Sequence, residues 1–176
     1  MRNHSGKPAF GGVMTALAVV LLLFTATPVA TVALAALAGL TAVPLVIEIN
    51  KRAALLQYAA VTVISLLLIP AWEGKLMYIG FFGYYAIVKS LLEARRMPRA
   101  AEWAVKIAVF IAATAAGALL AVTVARVPLP SFHPAAWAGI ALVAVAVFVL
   151  YDIGLTRFIS GYIRTLHPAV RLLFRF

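Results

Sequence analysis

Long stretches of this chain carry no charged side chain, and this spacing most constrains what the chain can fold into. Only 11% of its 176 residues are Asp, Glu, Lys or Arg, and 65% are hydrophobic. Soluble domains carry about 25% charged residues. The apolar stretches are about 20 residues long, the length at which a helix crosses the hydrocarbon core of a bilayer. The sequence therefore predicts an all-α integral membrane protein.

Six apolar segments stand out, at about 11–26, 29–49, 53–69, 75–92, 101–124 and 134–153. They are continuous runs, whereas the strands of a membrane barrel alternate apolar and polar residues, so we predict six transmembrane helices. Pro44 is expected to kink the second helix. The first segment is interpreted as a retained span, because Pro28 makes a poor signal-peptide cleavage site. Residues 1–176 are thus expected to form a single transmembrane domain.

The basic residues predict the orientation of these helices. With six crossings, most of the 15 Lys and Arg residues fall on one side of the membrane. The positive-inside rule makes that side cytoplasmic, together with the N and C termini. We expect a multi-pass protein of the cell membrane, in a bacterium the plasma membrane. The net charge of +10 is then explained by contact with anionic lipid headgroups, and no nucleic-acid partner is expected.

Three residues near the predicted cytoplasmic ends are candidates for coupling or gating: Glu48, Asp152 and Arg157. A carboxylate in a membrane segment is costly unless it is paired or hydrated. Glu48 could pair with nearby basic residues, or form an inner gate or a contact with a cytoplasmic subunit. Asp152 could be an interfacial charge that snorkels to the headgroups, or it could pair with Arg157 or with a basic residue of another helix. Residues 157–176 are interpreted as a basic amphipathic tail on the anionic leaflet, broken at Pro168.

Aromatic residues and one carboxylate cluster near the predicted outer face. They suit a small planar solute, because aromatic walls with a few polar groups provide stacking and hydrogen bonds. An aromatic belt at the membrane interface is the alternative explanation. The predicted substrate-binding residues are Trp72, Glu73, Tyr78, Tyr84, Tyr85 and Trp137.

The sequence offers no motif for catalysis or for metal binding. There is no cysteine, and the three histidines are far apart in the chain. Neither a GxSxG motif nor a P-loop occurs. We therefore expect no catalytic residue, no metal site and no cofactor. A separate pattern, Ala113, Gly117 and Ala121 on one helical face, indicates close helix packing or docking on a partner subunit.

Residues 44–93 carry a resemblance to a known class of proteins. The stretches are PLVIEINKR from Pro44, LLLIP ending at Pro70, and GFFGYYAIVKSLLE ending at Glu93. They look like small, mostly uncharacterised bacterial membrane proteins whose layout is similar to the S-components of energy-coupling factor (ECF) transporters. The resemblance implies six helices, cytoplasmic termini, a micronutrient bound near the outer face, and a coupling subunit associated with ATP-binding subunits.

We therefore expect a small-solute binding and uptake component of the S-component type. The alternative is a structural or accessory subunit of a larger membrane complex, which would bury its small-residue faces against other membrane subunits. A small channel or flippase is the remaining alternative.

Overall fold

The computed structural model describes residues 6–26, 30–95, 97–123, 126 and 133–174, in which every regular element is helical. The α-helices are α1 (Gly6–Leu23), α2 (Thr31–Leu40), α3 (Ala42–Glu48), α4 (Lys51–Leu68), α5 (Trp72–Met77), α6 (Gly83–Glu93), α7 (Arg99–Thr123), α8 (Pro134–Gly161) and α9 (His167–Phe174). A short 3-10 turn, Phe24–Ala26, follows α1. One π segment, Tyr78–Phe82, joins α5 to α6, and a second, Tyr162–Leu166, joins α8 to α9.

The prediction of an all-α chain with several membrane-length helices is confirmed in the described residues. Five helical runs are long and apolar enough to cross a membrane. They are Gly6–Ala26, Thr31–Glu48, Lys51–Leu68, Arg99–Thr123 and Ala135–Phe174. The remaining run, α5 to α6, corresponds to the predicted segment 75–92 and is more polar. Residues 29, 124, 175 and 176 of the predicted segments lie outside the described residues.

The run from α5 through the first π segment to α6, Trp72–Glu93, lies at the centre of the bundle. We call it the central run. It packs against α2, α3, α4 and α7, and Tyr78, Tyr85 and Lys89 along it are fully buried. In the π segment the amide of Gly83 donates to the carbonyl of Tyr78, five residues earlier. Such a widened turn changes which side chains of α6 share a face with those of α5.

The second membrane-length run is divided between α2 and α3 at Thr41. Pro44 lacks an amide proton for the carbonyl of the preceding turn, which weakens the helix there. The hydroxyl of Thr41 donates to the carbonyl of Ala38 over 2.7 Å. Gln57 of α4 then donates to the Thr41 hydroxyl (2.8 Å) and to the Met14 carbonyl of α1 (3.1 Å). A buried amide thus joins three helices.

A short turn connects α3 to α4. The side chain of Asn50 accepts a hydrogen bond from the amide of Ala53 over 2.8 Å and so caps α4. Lys51 donates to the carbonyl of Ser90 over 3.3 Å, which places the start of α4 beside the end of α6. We call this the basic end of the bundle. The opposite end holds Thr25, in contact range of Gly74 at the start of α5.

Helices α7 and α8 approach the bundle closely only in part of their length. The rings of Phe110 and Phe148 stack with their centroids 4.7 Å apart. Beyond these rings, toward the opposite end, large apolar side chains such as Leu119, Leu142 and Val143 are exposed. Contiguous exposed apolar surface of this kind fits contact with lipid or another membrane subunit rather than with water.

The C-terminal run continues as a helix past Pro168. A π-helical turn directly before a proline relaxes the backbone, and the second π segment lies at that place. Helix α9 returns to α1, where the rings of Phe10 and Phe174 meet with centroids 5.0 Å apart. The described part of the predicted tail 157–176 is therefore packed against the bundle along one side.

The close approach of α2 to the first π segment predicts a strict requirement for glycine at position 39. A methyl group there would overlap the backbone carbonyl of Phe82, which cannot move without shifting the π segment. Gly39→Ala should lower the free energy of unfolding in detergent by about 1–3 kcal/mol. Gly12→Ala is the control: Gly12 lies in α1 with no atom near its added carbon, so no loss is expected. Equal stability of the two variants would contradict this packing.

Candidate functional site

Asp152 of α8 is the centre of a buried charge network. Its Oδ1 accepts from Lys89 Nζ of α6 over 2.5 Å and from the Tyr85 hydroxyl over 2.8 Å. Its Oδ2 accepts from Lys106 Nζ of α7 over 3.2 Å. The three charged side chains are between 1% and 4% exposed. One carboxylate therefore joins two ammonium groups from two other helices.

The same two buried lysines also pair with glutamates that are partly exposed. Lys89 pairs with Glu93 over 3.2 Å, and Lys106 pairs with Glu102 over 2.6 Å. Glu93 is also 3.7 Å from Lys106. Three carboxylates thus pair with two ammonium groups at the basic end, one negative charge more than neutrality requires. Pairs of this kind contribute little net stability, but they are destabilising when one partner is lost, so they fix how α6, α7 and α8 meet.

Glu48 is the centre of a second polar cluster, on the other side of the basic end. Its Oε1 accepts from the Tyr162 hydroxyl over 3.1 Å and lies 2.6 Å from His167 Nδ1. Its Oε2 lies 3.7 Å from Arg171 Nε and has no hydrogen bond in the described residues. This cluster fastens the end of α3 to the second π segment and α9.

A cleft of about 470 Å³ opens between the central run, α7 and α8. Its volume is within the range usual for small-molecule sites, about 300–1,000 Å³. Its walls are almost wholly apolar. The lining residues are Val32, Glu73, Leu76, Met77, Gly80, Phe81, Phe82, Phe110, Ala113, Thr114, Gly117, Ala118, Ala121, Ala144, Val147, Phe148 and Tyr151. The predicted small-residue face of α7 therefore lines the cleft. The cleft is open there because these residues have side chains too small to fill it.

Aromatic rings separate the cleft from the charge network. Phe81 packs against Phe110 and Phe148, with ring centroids 5.3 and 5.7 Å apart. On its other side Phe81 packs against Tyr85 at 4.6 Å, and the Tyr85 hydroxyl binds Asp152. One layer of rings therefore lies between the apolar floor of the cleft and the paired charges.

The predicted binding residues occupy three different environments. Glu73 lines the cleft, and Trp72 and Trp137 are exposed. Tyr78 is buried beside Tyr58, with ring centroids 6.0 Å apart. The Tyr84 hydroxyl donates to the carbonyl of Gly80 over 2.7 Å. The structure brings Glu73 to the cleft and places these tyrosines behind its wall.

The predicted coupling residues are also separated from one another. Asp152 and Glu48 are the centres of the two polar clusters, and Arg157 is exposed on α8 without an ion pair to any described residue. Lys89 and Lys106 were not among the predicted site residues. Both lysines interrupt apolar segments, which is a sequence signal for a buried charge. Their common partner Asp152 is distant in the chain, so the sequence does not indicate the pairing. No group of three potential metal ligands lies together in the part of the chain that the structure describes.

Neutralising Asp152 should destabilise the bundle, because it leaves Lys89 and Lys106 charged and buried without their shared partner. Asp152→Asn should lower the free energy of unfolding in detergent by about 3 kcal/mol or more. Arg157→Gln is the control, an exposed charge one turn further along α8, with a change within about 0.5 kcal/mol. If Asp152→Asn were as stable as Arg157→Gln, the network would not hold these helices together.

Comparison with known proteins gives no relative: no family model, curated protein or solved structure matches this chain. The function proposed for the chain therefore rests on the cleft and its surroundings.

Proposed function

We propose that this chain is a multi-pass membrane protein that crosses the bilayer six times, with both termini in the cytoplasm. The proposal adds the central run Trp72–Glu93 to the five runs of sufficient length and hydropathy. Charge distribution supports this orientation. Lys51, Arg95 and Arg99 lie at the basic end, whereas Lys75 and Arg126 are the basic residues described at the opposite end. The positive-inside rule places the basic end in the cytoplasm of a bacterial cell.

We further propose that the protein binds a small, largely apolar solute in the cleft, as the solute-binding component of an uptake system. The observation that carries this proposal is the cleft itself. It has the volume of a ligand site, an aromatic floor and small residues along one wall. It lies toward the end that this orientation makes external, so a solute would enter it from outside.

The arrangement below the cleft is suited to closing a path through the bundle. The aromatic layer and the paired charges of Asp152 fill the space between α6, α7 and α8 at the basic end. Release of a solute to the cytoplasm would need these helices to move apart. In an S-component type of protein, a coupling subunit with ATP-binding subunits would drive this movement.

An accessory subunit of a membrane complex is the second candidate function. It is favoured by the exposed apolar faces of α7 and α8, including Ile111, Leu119 and Leu142. In this role a helix of a partner would lie along α7 and fill the cleft. The two functions differ in what occupies the cleft, a small molecule or a protein helix.

Cysteine labelling tests the six crossings, and the chain contains no natural cysteine. Single cysteines in place of Trp72, Arg95 and Arg126 should react with an impermeant maleimide from different sides. Positions 72 and 126 should be labelled from outside, and position 95 only after the membrane is opened. If the central run did not cross, positions 72 and 95 would be labelled from the same side.

Filling the cleft tests solute binding. Gly117 lines the cleft and Gly139 does not, and a carbon added at either position meets no atom within 4 Å. Gly117→Leu should abolish retention of small molecules that copurify with the wild-type protein, as measured by mass spectrometry of extracts. Gly139→Leu should retain them. Equal retention by both variants would contradict a site in the cleft, and a stoichiometric membrane partner lost only in Gly117→Leu would favour the accessory role.

A further inference from the structure

The cleft presents a single charge to its contents. Three of the lining residues, Glu73, Thr114 and Tyr151, have polar side chains. The Thr114 hydroxyl donates to the carbonyl of Phe110 over 2.8 Å. The Tyr151 hydroxyl is shielded from solvent and has no hydrogen-bond partner among the described residues. The Glu73 carboxylate is thus the exposed, charged group available to a bound molecule.

Glu73 also differs from the other acidic residues of the chain. The remaining four acidic residues, Glu48, Glu93, Glu102 and Asp152, all lie within 4 Å of a Lys or Arg side chain. Glu73 forms no ion pair with any residue in the described ranges. The nearest cation in sequence, Lys75, is buried with its Nζ 4.2 Å from the centre of the Trp72 ring. In a chain with a net charge of +10, one carboxylate at the cleft has no counter-ion among the residues that the structure describes.

We infer that the cleft takes a small organic amine, protonated at neutral pH, whose body is apolar or aromatic. This inference rests on the proposed function of the cleft. The ammonium group would lie at Glu73, at the start of α5, and the body would extend toward Phe81, Phe110 and Phe148. Charge complementarity selects a cation there, and the apolar walls exclude a molecule that is polar along its whole length.

The same features argue against two other ligand classes. A carboxylate or phosphate would be repelled by Glu73 and would find no basic side chain among the lining residues. A sugar-like molecule would lose its hydrogen bonds to water and find few in return, which is unfavourable for every buried hydroxyl. An amine with one charged end loses little, because Glu73 is exposed and the amine can keep part of its hydration there.

Three probes of one shape test this inference: 4-phenylbutylamine, 4-phenylbutanol and 4-phenylbutyrate. Their binding to the purified full-length chain in nanodiscs is measured by equilibrium dialysis, with empty nanodiscs as the blank for partition into lipid and Gly117→Leu nanodiscs as the control for a filled cleft. The amine should bind about fivefold more tightly than the alcohol, as expected for an exposed ion pair, and the carboxylate most weakly. Glu73→Gln should remove this preference and leave the affinity for the alcohol unchanged.

Glu93→Gln is the matched control, because it removes the same charge from the other end of the central run and should keep the preference for the amine. Equal binding of the three probes to the wild-type protein overturns the inference. So does an unchanged preference in Glu73→Gln. In either case the proposed function survives if Gly117→Leu abolishes the binding. Absence of saturable binding, or binding that Gly117→Leu leaves unchanged, overturns the amine inference and counts against the cleft as a solute site.

Discussion

A carboxylate among apolar helices needs counter-charges from the protein, and the pairing of Asp152 is the interaction on which the arrangement of α6, α7 and α8 depends. Two lysines from different helices meet this one side chain, at 2.5 and 3.2 Å. The two lysines also pair with Glu93 and Glu102 at the rim. Because Asp152, Lys89 and Lys106 are buried, moving these helices apart would leave buried charges without their partners.

The cleft results from this attachment at one end. Helices α7 and α8 meet the central run at the charge network and at the rings of Phe110 and Phe148. Toward the opposite end α7 offers only small side chains at Ala113, Gly117 and Ala121, and large side chains do not fill the gap. Where the bilayer would close such a gap with acyl chains, a solute with an apolar body could take their place. The site and the network are thus two parts of one arrangement.

The predicted site and the cleft involve the same parts of the chain, but most of their residues differ. The predicted binding residues lie in or next to the predicted segments 75–92 and 134–153. The cleft lies between the central run and α8, with α7 as a third wall. Glu73 is common to both. Two of the predicted tyrosines form other contacts instead: Tyr85 donates to Asp152, and Tyr84 donates to the carbonyl of Gly80 in the first π segment. The π segment also changes the helical face, and residue periodicity alone does not indicate such a segment.

Hydrophobicity is a local property of the sequence. The sequence by itself therefore determined that the chain is helical and approximately where its apolar runs lie. It also determined that the basic residues are concentrated in alternate connections between these runs. Pro44 marked the division of α2 from α3 in the same local way. Only the tertiary structure decided which charges meet. Lys89 and Asp152 are 63 positions apart, and Glu48 and His167 are 119 apart. Pairs at such separations depend on how helices rotate and lean against each other, which is set by packing of many side chains at once rather than by any single segment.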